Sequence, residues 1–136
     1  MLSKTLRALA LLCCTSLLPA GPAFAELTAA APVARVHHVV IVWLKEHGNA
    51  DARQRYIDIS RAQAKLPMVQ RYQVGTAVPG GREVVDSSYD VAIVASFEDK
   101  AALDAYLQHP EHKRVIDEGL KPLVDRFVVY DFAEAP

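Results

Sequence analysis

At 136 residues, 51% hydrophobic and 23% charged, the chain has room for one domain with its own core and is too apolar to be disordered. Its 15 basic and 16 acidic residues leave a formal net charge of −1. No basic run is present, which excludes a surface built to track nucleic acid or anionic lipid.

In chain order, Lys4 and Arg7 precede the apolar run ALALLCCTSLL, and PAGPAFA follows with small residues at Ala23 and Ala25. This is the layout of a secretory signal peptide over residues 1–25, cut before Glu26. The run is too short for a transmembrane helix. The expectation is export, to the periplasm or beyond it, with no membrane attachment after cleavage. Lipidation at Cys13 or Cys14 is the alternative, but LALL ahead of them lacks the small residues such a signal uses. Both cysteines leave with the leader, so disulfides, thiolate zinc sites and a cysteine nucleophile are not expected. Residues 26–34, ELTAAAPVA, read as a linker, and the domain is expected over 35–133.

VHHVVIVWLK is a β-branched run that predicts a strand buried on both faces. With a period of two, His38, Val40, Val42 and Leu44 share one face and His37, Val39, Ile41 and Trp43 the other, so the adjacent histidines cannot serve one site. EHGN turns the chain, and Asn49 or Asp51 caps a helix that Pro67 stops after Leu66. Its packing face is Tyr56, Ile59, Ala62 or Gln63, and Leu66. VQRYQVGTAV predicts a second strand, ended by Pro79-Gly80-Gly81, with a polar loop from Arg82 to Ser88. YDVAIVASF alternates cleanly, placing Tyr89, Val91, Ile93, Ala95 and Phe97 on one face. Asp99 caps the next helix, packed through Ala102, Leu103, Tyr106 and Leu107. Pro110 breaks it and fits the first turn of a further helix, capped at His109 and ending near Gly119 to Pro122. DRFVVYDF closes the domain as a fourth strand.

This order predicts an α+β, ferredoxin-like βαββαβ fold with a split second helix, in which helices cover one face of an antiparallel four-stranded sheet. The other face then exposes Val, Ile, Tyr and Phe. Homodimerisation through that open face, giving a dimeric α+β barrel, is the economical way to cover it.

Histidine is the side chain with an unperturbed pKa nearest neutrality, so a general acid or base is sought at His38, His109 or His112. His47 lies in a turn and reads as solvated surface, and His37 as a packing residue. The proline break brings Tyr106 and His112 to one end of two consecutive helices, where an imidazole could abstract a proton while a phenol steadies an enolate. By spacing alone, Tyr106 is equally a core ring and His109 a helix cap. No third ligand joins His109 and His112, so no metal is expected, and no phosphate loop or nucleophile elbow is present.

HHVVIVWLK, LPMVQRYQVG, YDVAIVASFEDKAALDAYLQHPEH and the ending VYDF together resemble the stress-responsive A/B barrel (Dabb) family over Val36 to Phe132, Tyr-x-x-His-Pro-x-His at 106–112 being the most specific piece. The resemblance implies ferredoxin-like protomers paired sheet to sheet. The family includes polyketide cyclases of the olivetolic acid cyclase kind, which use neither metal nor organic cofactor. Carried over, His112 would be the catalytic base and Tyr106 its hydrogen-bonding partner. The implied pocket takes His38, Val40 and Val42 from the first strand, Tyr56 and Ile59 from the first helix, Ile93 from the third strand, Leu107 from the helix after it, and Phe127 and Val129 from the last strand. Three readings follow: an exported homodimer that binds a small, mostly apolar molecule; a cofactor-independent cyclase-like or monooxygenase-like enzyme; and a non-catalytic structural or stress-associated dimer.

Overall fold

The computed structural model describes residues 35–135, so the expected signal peptide and the expected linker lie outside the described residues. Strand β1 (Val36–Leu44) is followed by helix α1 (Ala50–Ser60), β2 (Arg71–Thr76), β3 (Val91–Phe97), α2 (Lys100–Gln108), α3 (Pro110–Arg114) and β4 (Val124–Ala133). The strands form one antiparallel sheet in the order β2-β3-β1-β4. This is the ferredoxin-like arrangement that the sequence predicts.

The helix boundaries follow from capping. The Asn49 side chain accepts from the backbone N–H groups of Asp51 and Ala52, and Asp99 accepts from Ala102. At the broken helix, His109 Nδ1 accepts from Glu111 N–H at 3.2 Å while Pro110 fills the first turn. The chain then departs from plain α-helix: α1 tightens into a 3-10 segment at Arg61–Lys65, and α3 passes into a π-helical segment at Val115–Leu120 and a 3-10 turn at Lys121–Leu123. Gly119 in the π segment lies against α1, where an added Cβ would come within 2.7 Å of the Ile59 methyl. Ile57, absent from the predicted packing face, is buried with Tyr56.

Helix-facing residues of the sheet make two adjoining cores. Val42, Leu44, Val91 and Ile93 pack with Tyr56, Ile57, Val115 and Leu120, while Val36, Ala95 and Phe97 pack with Leu66, Leu103 and Tyr106. The register sets His38 opposite Ala95 and Asp131 on this face and His37 opposite Ser96 and Phe132 on the open one. β3 starts at Val91, later than the alternation predicts, although Asp90 N–H still donates to the Val42 carbonyl at 2.9 Å. The buried Asp90 carboxylate accepts from Leu44 N–H (2.9 Å), Gly48 N–H (2.8 Å) and His47 Nδ1–H (2.9 Å). Gly48, at φ +77°, takes a left-handed turn suited to glycine. His47 is therefore a partner of Asp90 rather than merely solvated surface.

Burial pushes the Asp90 carboxyl up, but its hydrogen bonds outweigh that and hold it below the usual carboxylate range. Replacing Asp90 by Ala strands the Leu44 and Gly48 donors, and urea unfolding should show a loss of about 2–4 kcal/mol. Gly119→Ala should cost about 1–3 kcal/mol by overpacking against the β-branched Ile59.

Candidate active site

A cleft of about 810 Å³ opens where the inner face of β4 runs past the helices. Its floor is His38 and Val40 from β1 with Phe127 and Val129 from β4. Phe127 and Val129 are 62% and 39% exposed although they face the helix side, so the apolar floor is left bare. Tyr56, Leu107 and His112 close one wall, and Ile116 and Leu120 of the π segment the other. Charged groups lie at the end near Lys45, Lys121 and Asp125. The lysines are tied locally: Lys45 Nζ donates to the Pro122 carbonyl at 2.8 Å, and Lys121 lies 3.8 Å from Asp117.

The polar end is built by three elements. The buried His38 ring donates Nδ1–H to Asp131 Oδ1 at 2.7 Å, across the β1–β4 ladder. The Tyr106 ring packs against His112, with centroids 4.2 Å apart, and its edge meets His38 at 6.1 Å. The His112 ring reaches Gln63 through Nδ1 at 3.2 Å, and the Gln63 amide nitrogen lies 3.4 Å from the His112 carbonyl oxygen. Burial, aided by the neighbouring charges of His38, His109 and Lys113, pushes the His112 pKa down to about 4. His112 is thus a neutral imidazole at pH 7. Burial also keeps the Tyr56 and Tyr106 phenols protonated by pushing them well above their ordinary range, and Tyr72 beside them is raised to about 12.

Of the residues that the resemblance implied for the pocket, His38, Val40, Tyr56, Leu107, Phe127 and Val129 line the cleft together with His112. Val42 and Ile93 do not: they are buried in the core cluster with Tyr56 and Val115, Val42 further along β1 and Ile93 opposite Val40 on β3. Ile59 also packs in the core, against Gly119. Tyr106 is brought against His112 but stands behind the cleft wall, only 3% exposed, with its ring on Phe97. His109 caps α3. Two residues that the sequence reading did not single out complete the site, Gln63 and Asp131. Gln63 carried a signal, as a polar residue on an apolar helical face; Asp131 becomes visible only once β1 and β4 are in register. Among the described residues no group of three or more His, Cys, Asp or Glu side chains is placed to hold a metal ion, and no helix is long and apolar enough to cross a membrane.

A one-sided helix layer on an antiparallel sheet, with a histidine-bearing cleft at the β4 edge, defines a ferredoxin-like α+β protomer. The family model of the stress responsive A/B barrel domain matches residues 36–134, and the chain belongs to that family. Similar solved structures include a Dabb family protein of Mesorhizobium loti with a ferredoxin-like fold, 18% identical with a TM-score of 0.64 over 76% of this chain and 99% of that one. A hydroxynitrile lyase of Passiflora edulis is 18% identical with a TM-score of 0.64, over 77% of this chain and 96% of that one. A dimeric ferredoxin-like protein of Thermobifida fusca is 22% identical with a TM-score of 0.59, over 75% and 92%. No curated protein matches the sequence.

Because the folded pKa of His112 lies below the ordinary value of 6.5, protonation favours the unfolded chain. The stability this neutral ring supplies is complete above about pH 6.5 and is lost as the pH falls toward 4. His112→Phe should therefore flatten the acid-side decline between pH 6.5 and 4, read as urea-unfolding free energy at a series of pH values.

Proposed function

We propose that the protein is an exported homodimer that binds a small, mostly apolar molecule in the cleft and acts on it without metal or organic cofactor, with His112 as general base. The observation that carries this reading is a neutral imidazole at the polar end of an unfilled cleft whose floor is bare Phe127 and Val129. A cleft of this size suits a drug-sized ligand. The structural-dimer reading calls for a filled interior, which an open cleft of about 810 Å³ speaks against.

His112 takes the proton of an acidic C–H bond, and the electron pair of that bond moves to an adjoining carbonyl oxygen as an enolate. This is the shared first step of an aldol cyclisation and of cofactor-free oxygenation. Of the groups that line the cleft, the Tyr56 phenol, kept protonated by burial, can donate to that oxygen. Tyr106 supports His112 from behind. That a hydroxynitrile lyase has a similar fold supports the view that such a protomer can house an enzyme.

Dimerisation is supported by the open face, where Tyr130 and Phe132 are 60% and 52% exposed, and by neighbours described as dimeric. Native mass spectrometry should give a dimer, and Tyr130→Glu a monomer. His112→Ala should keep the dimer and lower turnover of a responsive 1,3-dicarbonyl probe by about 10²- to 10⁴-fold, with a smaller loss for Tyr106→Phe, which keeps the packed ring. Unchanged turnover in His112→Ala overturns the catalytic reading.

A further inference from the structure

We propose that Gln63 is a positioning residue that holds His112 in its Nδ1–H tautomer and so presents the Nε2 lone pair to the ligand. The inference rests on the reading of His112 as the base and names what makes that base usable.

Gln63 is a glutamine at 2% exposure, the one buried residue of the 3-10 extension of α1. A buried amide is costly unless its hydrogen bonds are made. Its two recorded side-chain bonds both go to one residue: Oε1 to the His112 ring and Nε2 to the His112 backbone carbonyl. The second bond orients the first. A carbonyl oxygen only accepts, so the amide nitrogen must face it, and Oε1 must then face Nδ1. Turning the amide over would set Oε1 against the carbonyl oxygen and lose that bond, so the orientation with both bonds made is the one described. Since Oε1 only accepts, Nδ1 carries the hydrogen, and in the neutral ring Nε2 is left with the lone pair.

The tightening of α1 into a 3-10 segment at Arg61–Lys65 is what places residue 63 across from α3. A neutral amide also does something that a carboxylate there would not. It orients the ring without adding the negative charge that would raise its basicity and store a proton on it at rest. His38, whose ring is held by Asp131, shows the contrasting arrangement in the same cleft. His38, His109 and Lys113 are the charged or titratable groups that bear on His112, and all three oppose its protonation. In the reaction, Nε2 accepts the proton, the ring becomes an imidazolium with Nδ1–H still donating to Gln63 Oε1, and the electron pair stays on the ligand as the enolate. No oxidant or co-reactant enters this step.

The test is the long-range ¹H–¹⁵N correlation spectrum of the ¹⁵N-labelled protein at pH 7, with His112 assigned by its disappearance in His112→Ala. The wild-type ring should show a protonated Nδ1 and a bare Nε2. In Gln63→Leu the ring should revert to the Nε2–H form that an unconstrained histidine prefers. Gln63→Glu should keep Nδ1–H and move the titration midpoint upward from about 4 by about one to three pH units. A wild-type His112 protonated at Nε2 overturns the proposal, and that readout is taken on the wild-type protein itself. An unchanged tautomer in a folded Gln63→Leu overturns it too. Because the readout is spectroscopic, a correct tautomer with no loss of turnover in His112→Ala would sink the catalytic reading alone. The wrong tautomer with His112-dependent turnover would sink the role of Gln63 alone.

Discussion

The cleft depends on where the segment Val115–Leu123 is anchored. Gly119 seats it on α1 against Ile59, and at its far end Lys45 holds it twice, through N–H to the Leu123 carbonyl at 3.0 Å and Nζ to the Pro122 carbonyl. Ile116 and Leu120, on either side of Gly119, line the cleft. The π-helical winding matters here, since a wider turn at a functional segment redirects side chains that a regular helix would bring inward. Phe127 and Val129 remain bare as a result, and an apolar floor left exposed on the helix side is the physical basis for reading the space as a binding site.

The two-residue period of β1 then divides the polar groups between the two faces. His37 on the open side stacks on Phe132 and is bonded to Ser96 and Glu134, while His38 on the helix side is bonded to Asp131 and looks toward Tyr106 and His112. Adjacent in sequence, they belong to different surfaces. Each takes a carboxylate from the end of β4 or just beyond it, so the same two strands pin one histidine for the open face and one for the cleft.

Much of this was legible in the residues. Alternation gave the strands and their faces, Asn49, Asp99 and Pro110 marked the helix starts, and the Tyr-x-x-His-Pro-x-His run pointed to the family and to His112. What could not be read were features that depend on register and on non-α winding. Val42 and Ile93 share the strand faces of His38 and Val40, yet which members of a face meet the cleft and which pass under a helix depends on helix placement that no period encodes. The alternation opens the third strand at Tyr89, whereas the ladder begins at Val91, and the Asp90 carboxylate is taken by donors at the end of β1 and in the turn after it, Leu44, His47 and Gly48. Gln63 could be placed on a helical face, but its partner lies 49 residues away.

A base with a pKa near 4 is weak, and the geometry bears on whether that weakness suits the chemistry. The low value belongs to the resting cleft, where burial first, and the coulombic influence of His38, His109 and Lys113 after it, disfavour a charged ring. In the proposed reaction the proton leaves the ligand as negative charge grows on it a few ångströms away, and that charge favours the imidazolium in proportion to how dry the site is. Ligand binding over the apolar floor removes water and strengthens this effect. His112 is therefore unprotonated and available before reaction and becomes more basic as the enolate forms. An interaction that strengthens toward the transition state is the kind that raises turnover rather than affinity. The same argument selects the ligand: a base this weak is matched to a C–H bond already acidified by flanking carbonyls, because only there does the developing charge close the remaining gap.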